Sequence, residues 1–229
     1  FRFRIFPLFI GNKIGQKEFY IYNSPGESSS LHPDKYYVEA FNSNLAIKES
    51  ISVDQSTLNE VSSLHNLQPD LIKVDTQGTE LDILKNAGSA LESCLIVESE
   101  AEIIPMYADQ PLLHDISIYL YSKDFQLLYL NRVFIQKKYS KKPCRGQFVF
   151  ADALYGITIK KALTLPIEKQ IRYCCLLINY GLIDSAIELH DSNQMICQEF
   201  PSITKHLEKY RSRTKLDSIL TLVTSGIAN

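Results

Sequence analysis

Carboxylates at the end of a buried strand are the residues of this chain best placed to do chemistry. Asp75 closes the run Asp70-Leu71-Ile72-Lys73-Val74 and is followed by Thr76-Gln77-Gly78-Thr79-Glu80. The run, apolar apart from Lys73, reads as a parallel strand covered on both faces, and ligands bind outside the carboxyl ends of such strands. A carboxylate there has to be paired or solvated in a cleft. It is either a functional group or a turn cap that accepts from the amides of Gln77 and Gly78. Glu80 and Asp82 fall in the first turn of the next helix, where the dipole favours acids, and Glu80 could also face the cleft. Glu98 and Glu100 lie two apart on the following strand, so both point to one side of the sheet, beside Asp75 if consecutive strands are neighbours. Carboxylates gathered there would raise one another's pKa and supply a general base. The other reading of Glu98 and Glu100 is as surface partners of Lys or Arg.

Other chemistries lose their usual parts. No Gly-x-Gly-x-x-Gly, Walker-type, His-Glu-x-x-His or Gly-x-Ser-x-Gly pattern occurs. His32, His65 and His114 share no ligand spacing, so no metal site is assigned. Lys137, Lys138, Lys141, Lys142 and Arg145 form a basic loop, read as a solvated loop or as a seat for an anionic acceptor. The formal net charge of −2 argues against nucleic acid as a partner. No apolar run is long enough for membrane insertion, and five cysteines without a Cys-x-x-Cys pair fit reduced thiols and a cytoplasmic setting.

The elements that must position these groups follow from periodicity and turn chemistry. Strands are expected at Phe1–Ile10, Glu18–Tyr22, Lys48–Val53, Asp70–Val74, Cys94–Glu98, Phe125–Leu130 and Gln147–Ala151. Helices are expected at Gln55–His65, from Thr79 (a capping box with Asp82) to a stop at Gly88, and at Pro111–Lys123. Residues 24–33, rich in Ser, Pro and Gly, read as a mobile loop, and Tyr36–Phe41 as a short helix or strand. Alternating strands and helices imply a doubly wound α/β sheet over residues 1–156. Residues 157–229 read as an all-helical tail that docks or forms a homo-oligomer. Its apolar stripe is Ile167, Ile171, Cys174/Cys175 and Ile178, with later helices at Ile183–His190, Pro201–Tyr210 and Leu216–Val223.

The block Ile72-Lys73-Val74-Asp75-Thr76-Gln77-Gly78-Thr79-Glu80-Leu81-Asp82-Ile83-Leu84-Lys85 resembles the signature of the FkbM-type methyltransferases. The resemblance extends through Leu95-Ile96-Val97-Glu98, Pro105-Met106-Tyr107 and Asp115–Phe125, with weaker similarity at Ile10-Gly11, Gly15, Ser28-Ser29-Ser30 and Asp152-Ala153-Leu154. It implies an S-adenosylmethionine-dependent O-methyltransferase on a Rossmann-like sheet, acting on a small-molecule or glycan hydroxyl such as that of a sugar or polyketide. It sets Asp75 beside the transferred methyl, with Glu98 or Glu80 as helpers, and Phe9 and Ile10 near the adenine. Two departures stand out. Asn59 occupies a position where the family usually has Asp. The family's upstream glycine loop and first strands are absent, so the sheet is expected to be N-terminally incomplete, part of a longer protein, with Asp70–Val74 as an apolar edge. A degenerate, non-catalytic interaction module is the alternative. A sugar-binding glycosyltransferase-like fold ranks below both, because no Asp-x-Asp is present.

Overall fold

The computed structural model describes residues 4–211. They divide into two compact units, one ending at Thr158 and the other beginning at Ile159.

The first unit is organised around strands β4 (Leu71–Val74), β5 (Ile96–Glu102), β6 (Phe125–Ile135) and β7 (Gln147–Ile157). Their order is β4-β5-β7-β6, with β4 parallel to β5 and β7 antiparallel to both neighbours. This is an α/β arrangement of the kind expected from the Rossmann-like sheet the resemblance implies. β5 is central, and Ile96, Val97 and Ala101 are fully buried, as a strand covered on both faces requires. Helices α3 (Glu80–Lys85) and α4 (Ser89–Ser93) carry the chain from β4 to β5, and α5 (Leu113–Tyr121) leads into β6. Among the described residues no strand pairs with the outer edge of β4. A groove of about 480 Å³ runs beside it, walled by Ile10, Leu58, Leu67, Leu71 and Ile83.

The N-terminal strands do not extend that sheet. β1 (Phe9–Ile10), β2 (Gly15–Tyr22) and β3 (Ile47–Ser56) form a sheet of their own in the order β1-β3-β2. The long strand expected from residue 1 is reduced to Phe9–Ile10 among the described residues, since the chain from Arg4 to Leu8 makes no ladder. Gln55 and Ser56, expected in a helix, pair with Phe9 and Ile10 instead, so α2 runs only over Leu58–Leu64, with the Thr57 hydroxyl accepting from the Glu60 N–H. Tyr36–Phe41 resolves as helix α1 (Lys35–Phe41), capped by the Asp34 carboxylate. The supposed mobile loop is tied down: Tyr20 and Ser29 exchange both backbone hydrogen bonds (2.8 and 3.2 Å), and Ser29 is fully buried. Tyr22, Tyr37, Leu45, Met106, Tyr107 and Val149 form a core that joins the two sheets.

The second unit comprises α6 (Ile159–Ala162), α7 (Ile167–Asn179), α8 (Ile183–Ser192), α9 (Gln194–Glu199) and α10 (Pro201–Arg211). On α7 the buried residues are Gln170, Tyr173, Cys174 and Leu177; of the expected stripe Cys174 is among them, while Ile167, Ile171, Cys175 and Ile178 are half-buried. Both faces carry apolar residues, and the one bearing the larger Tyr173 side chain turns inward. The helix expected at Leu216–Val223 lies outside the described residues.

Candidate active site

The turn after β4 is built by Glu80. Its carboxylate accepts from the Thr76 N–H (2.7 Å), the Thr76 hydroxyl (3.1 Å) and the Gly78 N–H (3.0 Å), and its side chain is buried. Burial holds the Glu80 carboxyl above its ordinary range, while these hydrogen bonds pull the other way. The amide-capping role open to Asp75 therefore belongs to Glu80. The expected capping box does not form: the Thr79 hydroxyl donates to Thr76 Oγ1 (3.0 Å), and Asp82 accepts from the Asn12 amide (3.2 Å). α3 ends at Lys85, and Gly88 (φ +50°) starts the unforeseen α4. There the Asn59 side-chain oxygen accepts from the Ser89 N–H (3.2 Å) at the start of that helix.

With the turn clamped from within, Asp75 stands exposed at the strand end. Its Oδ1 accepts from Gln77 Nε2 (2.9 Å), which also donates to Glu100 Oε2 (2.9 Å). Gln77 Oε1 accepts from the Tyr107 hydroxyl (3.1 Å), and the Gln77 carbonyl from the Ser29 hydroxyl (2.6 Å). Gln77 makes these contacts from a left-handed backbone (φ +57°), a conformation that costs energy for a residue with a Cβ and is found where structure overdetermines it. Gly78 follows at φ +100°, where a Cβ would meet Tyr107 at 2.9 Å.

Strand register sorts the remaining acids. Lys73 is paired with Glu98, and its ammonium donates to the Glu98 carboxylate. Lys73 thus reaches a specific partner, not only water, and Glu98 is drawn away from Asp75. Two residues further on, Glu100 meets Asp75 through Gln77. Burial pushes the Glu100 carboxyl up to about 8, helped by the negative charge of Asp75. Glu102, with no exposed surface, is also held near 8, by burial and then by Glu80. Both of its oxygens, and the facing Gln110 amide nitrogen, lack hydrogen-bond partners. An acid whose oxygens find no donors is more stable protonated.

Phe9, Phe19, Gly26, Ser28, Asp75, Thr76 and Gln77 line a cleft of about 450 Å³. The rings of Phe9 and Phe19 meet edge to face at 5.5 Å. Ile10 lies on the other side of Phe9's strand, in the apolar groove beside β4 that Asp75 also borders. The structure thus brings Asp75, Phe9 and Ile10 together, sets Glu80 beneath the turn and turns Glu98 to Lys73. Sequence reasoning missed Gln77 and Tyr107 and gave Glu100 no place ahead of Glu98. The two-residue period of Glu98, Glu100 and Glu102 was the available signal for a continuous acidic row.

Among the described residues, no group of three or more His, Cys, Asp or Glu is arranged to hold a metal ion, and no helix is long and apolar enough to cross a membrane. No curated protein and no solved structure matches the chain. The FkbM methyltransferase domain model matches residues 2–127, which contain β1 to β5, the clamped turn and the whole Asp75 cleft. With more than half its length inside that match, the chain belongs to the FkbM methyltransferase family and is a methyltransferase.

Proposed function

We propose that the protein transfers a methyl group from S-adenosylmethionine to a hydroxyl of a sugar or polyketide-like acceptor. The observation that carries this reading is the meeting of Asp75 with the Phe9–Phe19 pair in one cleft. The donor set suits the cofactor: aromatic rings offer faces and edges to an adenine, and a carboxylate complements a sulfonium. Phe9 would flank the base and Asp75 the sulfonium end, while Ile10, expected beside the base, faces the neighbouring groove along β4. When bound, the cofactor supplies an electrophilic methyl carbon.

The chain's own residues then have three tasks. Asp75 orients the acceptor hydroxyl by accepting its hydrogen bond, which turns an encounter into a near-attack geometry. The proton that leaves the hydroxyl late in the transfer goes to Asp75, and Glu100, held beside it by Gln77, lends its negative charge when ionised. Glu98 and Glu80 give way to Glu100 in the helper's place, because Lys73 and the turn amides occupy them. Glu80, Gly78 and the Ser29–Gln77 contact hold the strand end rigid.

Kinetics of Asp75→Asn in the full-length protein test this. Turnover should fall by roughly 10²–10⁴-fold, with cofactor affinity changed far less. Unchanged turnover would remove Asp75 from the mechanism.

A further inference from the structure

We propose that Cys197, in the helical unit, is an activated thiol that His190 and Asp191 prepare for reaction with small soft electrophiles. Cys197 Sγ lies 3.1 Å from His190 Nε2, and His190 Nδ1 lies 2.9 Å from Asp191 Oδ1. A nucleophile within reach of a base, itself oriented by a third group, is the arrangement that activates thiols and hydroxyls. The three residues come from two helices whose junction is fixed. Asn193 ends α8, its side-chain oxygen accepts from the Met195 N–H (3.0 Å), and its amide donates to Gln170 Oε1 (2.8 Å). That turn sets Cys197 of α9 against the ring of α8.

The groups facing His190 bear on its tautomer. With Nδ1 protonated and donating to Asp191, the Nε2 lone pair is left toward Cys197 and the Thr204 hydroxyl at 2.9 Å. Arg211 of α10 also binds Asp191, and its guanidinium lies 3.1 Å from Nδ1, where it competes with the ring proton for the Asp191 carboxylate while placing positive charge nearby. His190 and Arg211 together hold the Asp191 carboxyl below its ordinary range. The ring is 3% exposed, but Cys197 remains partly open to solvent.

The other cysteines lack this setting. Cys174 is buried, and burial pushes its thiol up to about 12. Cys94 is buried and donates to the Ile96 carbonyl (2.9 Å). Cys144 is exposed, and no imidazole contact is found for it among the described residues. In the reaction, the Cys197 proton passes to His190 Nε2 and the sulfur attacks an electrophilic carbon. The S–C bond forms, the leaving group departs with its bonding pair, and Nε2 returns the proton to solvent.

Iodoacetamide labelling of the complete protein at neutral pH, read cysteine by cysteine by peptide mass spectrometry, tests the proposal with Cys144 as internal reference. Cys197 should react about tenfold faster than Cys144 although it is less exposed, the gain expected from an imidazole positioned to take the thiol proton as the sulfur attacks. His190→Gln should bring it to the rate of Cys144 or below. Because His190 is buried, Asp191→Asn, at a half-exposed side chain, is the second variant and should slow labelling severalfold. Cys197 reacting no faster than Cys144 in the unaltered protein would overturn the proposal. So would an unchanged rate in either folded variant, and if His190→Gln fails to fold, Asp191→Asn decides.

Discussion

Glu102→Gln should reshape how stability depends on pH. Glu102 is fully buried, and burial holds its carboxyl near 8 against an ordinary value of 4.5; neither oxygen has a partner in hydrogen-bond geometry, and the nearby Gln110 amide pulls only weakly the other way. Between those values the unfolded chain has released this proton and the folded chain keeps it. The stabilising contribution is therefore fully present below about pH 4.5 and is lost as pH rises through about 8. One proton's difference is worth about 1.4 kcal/mol per pH unit, so the window spans at most about 4–5 kcal/mol, part of it shared with Glu100. Glutamine keeps the shape, carries no titrating proton and presents an oxygen that the idle Gln110 amide can reach. Urea denaturation across the range, followed by near-ultraviolet dichroism to which the buried Tyr22, Tyr37, Tyr107 and Tyr155 of the first unit and Tyr173 of the second contribute, reads the unfolding of a chain without tryptophan. The variant should match or trail the unaltered protein near pH 5 and exceed it near pH 8, so the two curves cross. Parallel curves would refute a protonated Glu102.

The same network makes further claims. If Asp75 and Glu100 act as a pair, kcat/KM should rise with pH through an apparent pKa near 8, because Glu100 lends its charge only when ionised. Glu100→Gln should abolish that limb in a pH–rate profile. Glu80→Ala leaves the Thr76 and Gly78 amides without their buried acceptor and should cost about 2–4 kcal/mol in denaturation. Gly78→Ala combines a φ of +100° with a Cβ 2.9 Å from Tyr107 and should cost about 2–4 kcal/mol by the same assay.

How much of this could be read in the sequence varied with how local the cause was. The β4 strand, its turn and the Glu-bearing strand were legible because apolar runs, a glycine and a two-residue period are signals within a few residues. The sorting of Glu98 from Glu100 was not. It depends on the register that sets Lys73 opposite Glu98, a contact 25 positions apart. Glu80's role was hidden for a related reason. A helix-dipole reading suits any first-turn acid, and only in the folded turn, with positive φ at both Gln77 and Gly78, do the Thr76 and Gly78 amides meet this one. In the helical unit, periodicity found α7 and its buried Cys174, but the inward face is rotated from the isoleucines toward Tyr173 and Leu177. The separate N-terminal sheet was out of reach because it rests on Gln55 and Ser56 pairing with Phe9 and Ile10 across more than forty residues.

The central claim is that the cleft of Phe9 and Asp75 holds the cofactor. Calorimetric titration of S-adenosylmethionine into the full-length protein and its Phe9→Ala variant tests it most directly. The account predicts saturable one-to-one binding, weakened about tenfold in the variant, as loss of a base–aromatic stack worth ~1–2 kcal/mol requires. Absence of binding, or an affinity that Phe9→Ala leaves unchanged, would contradict it.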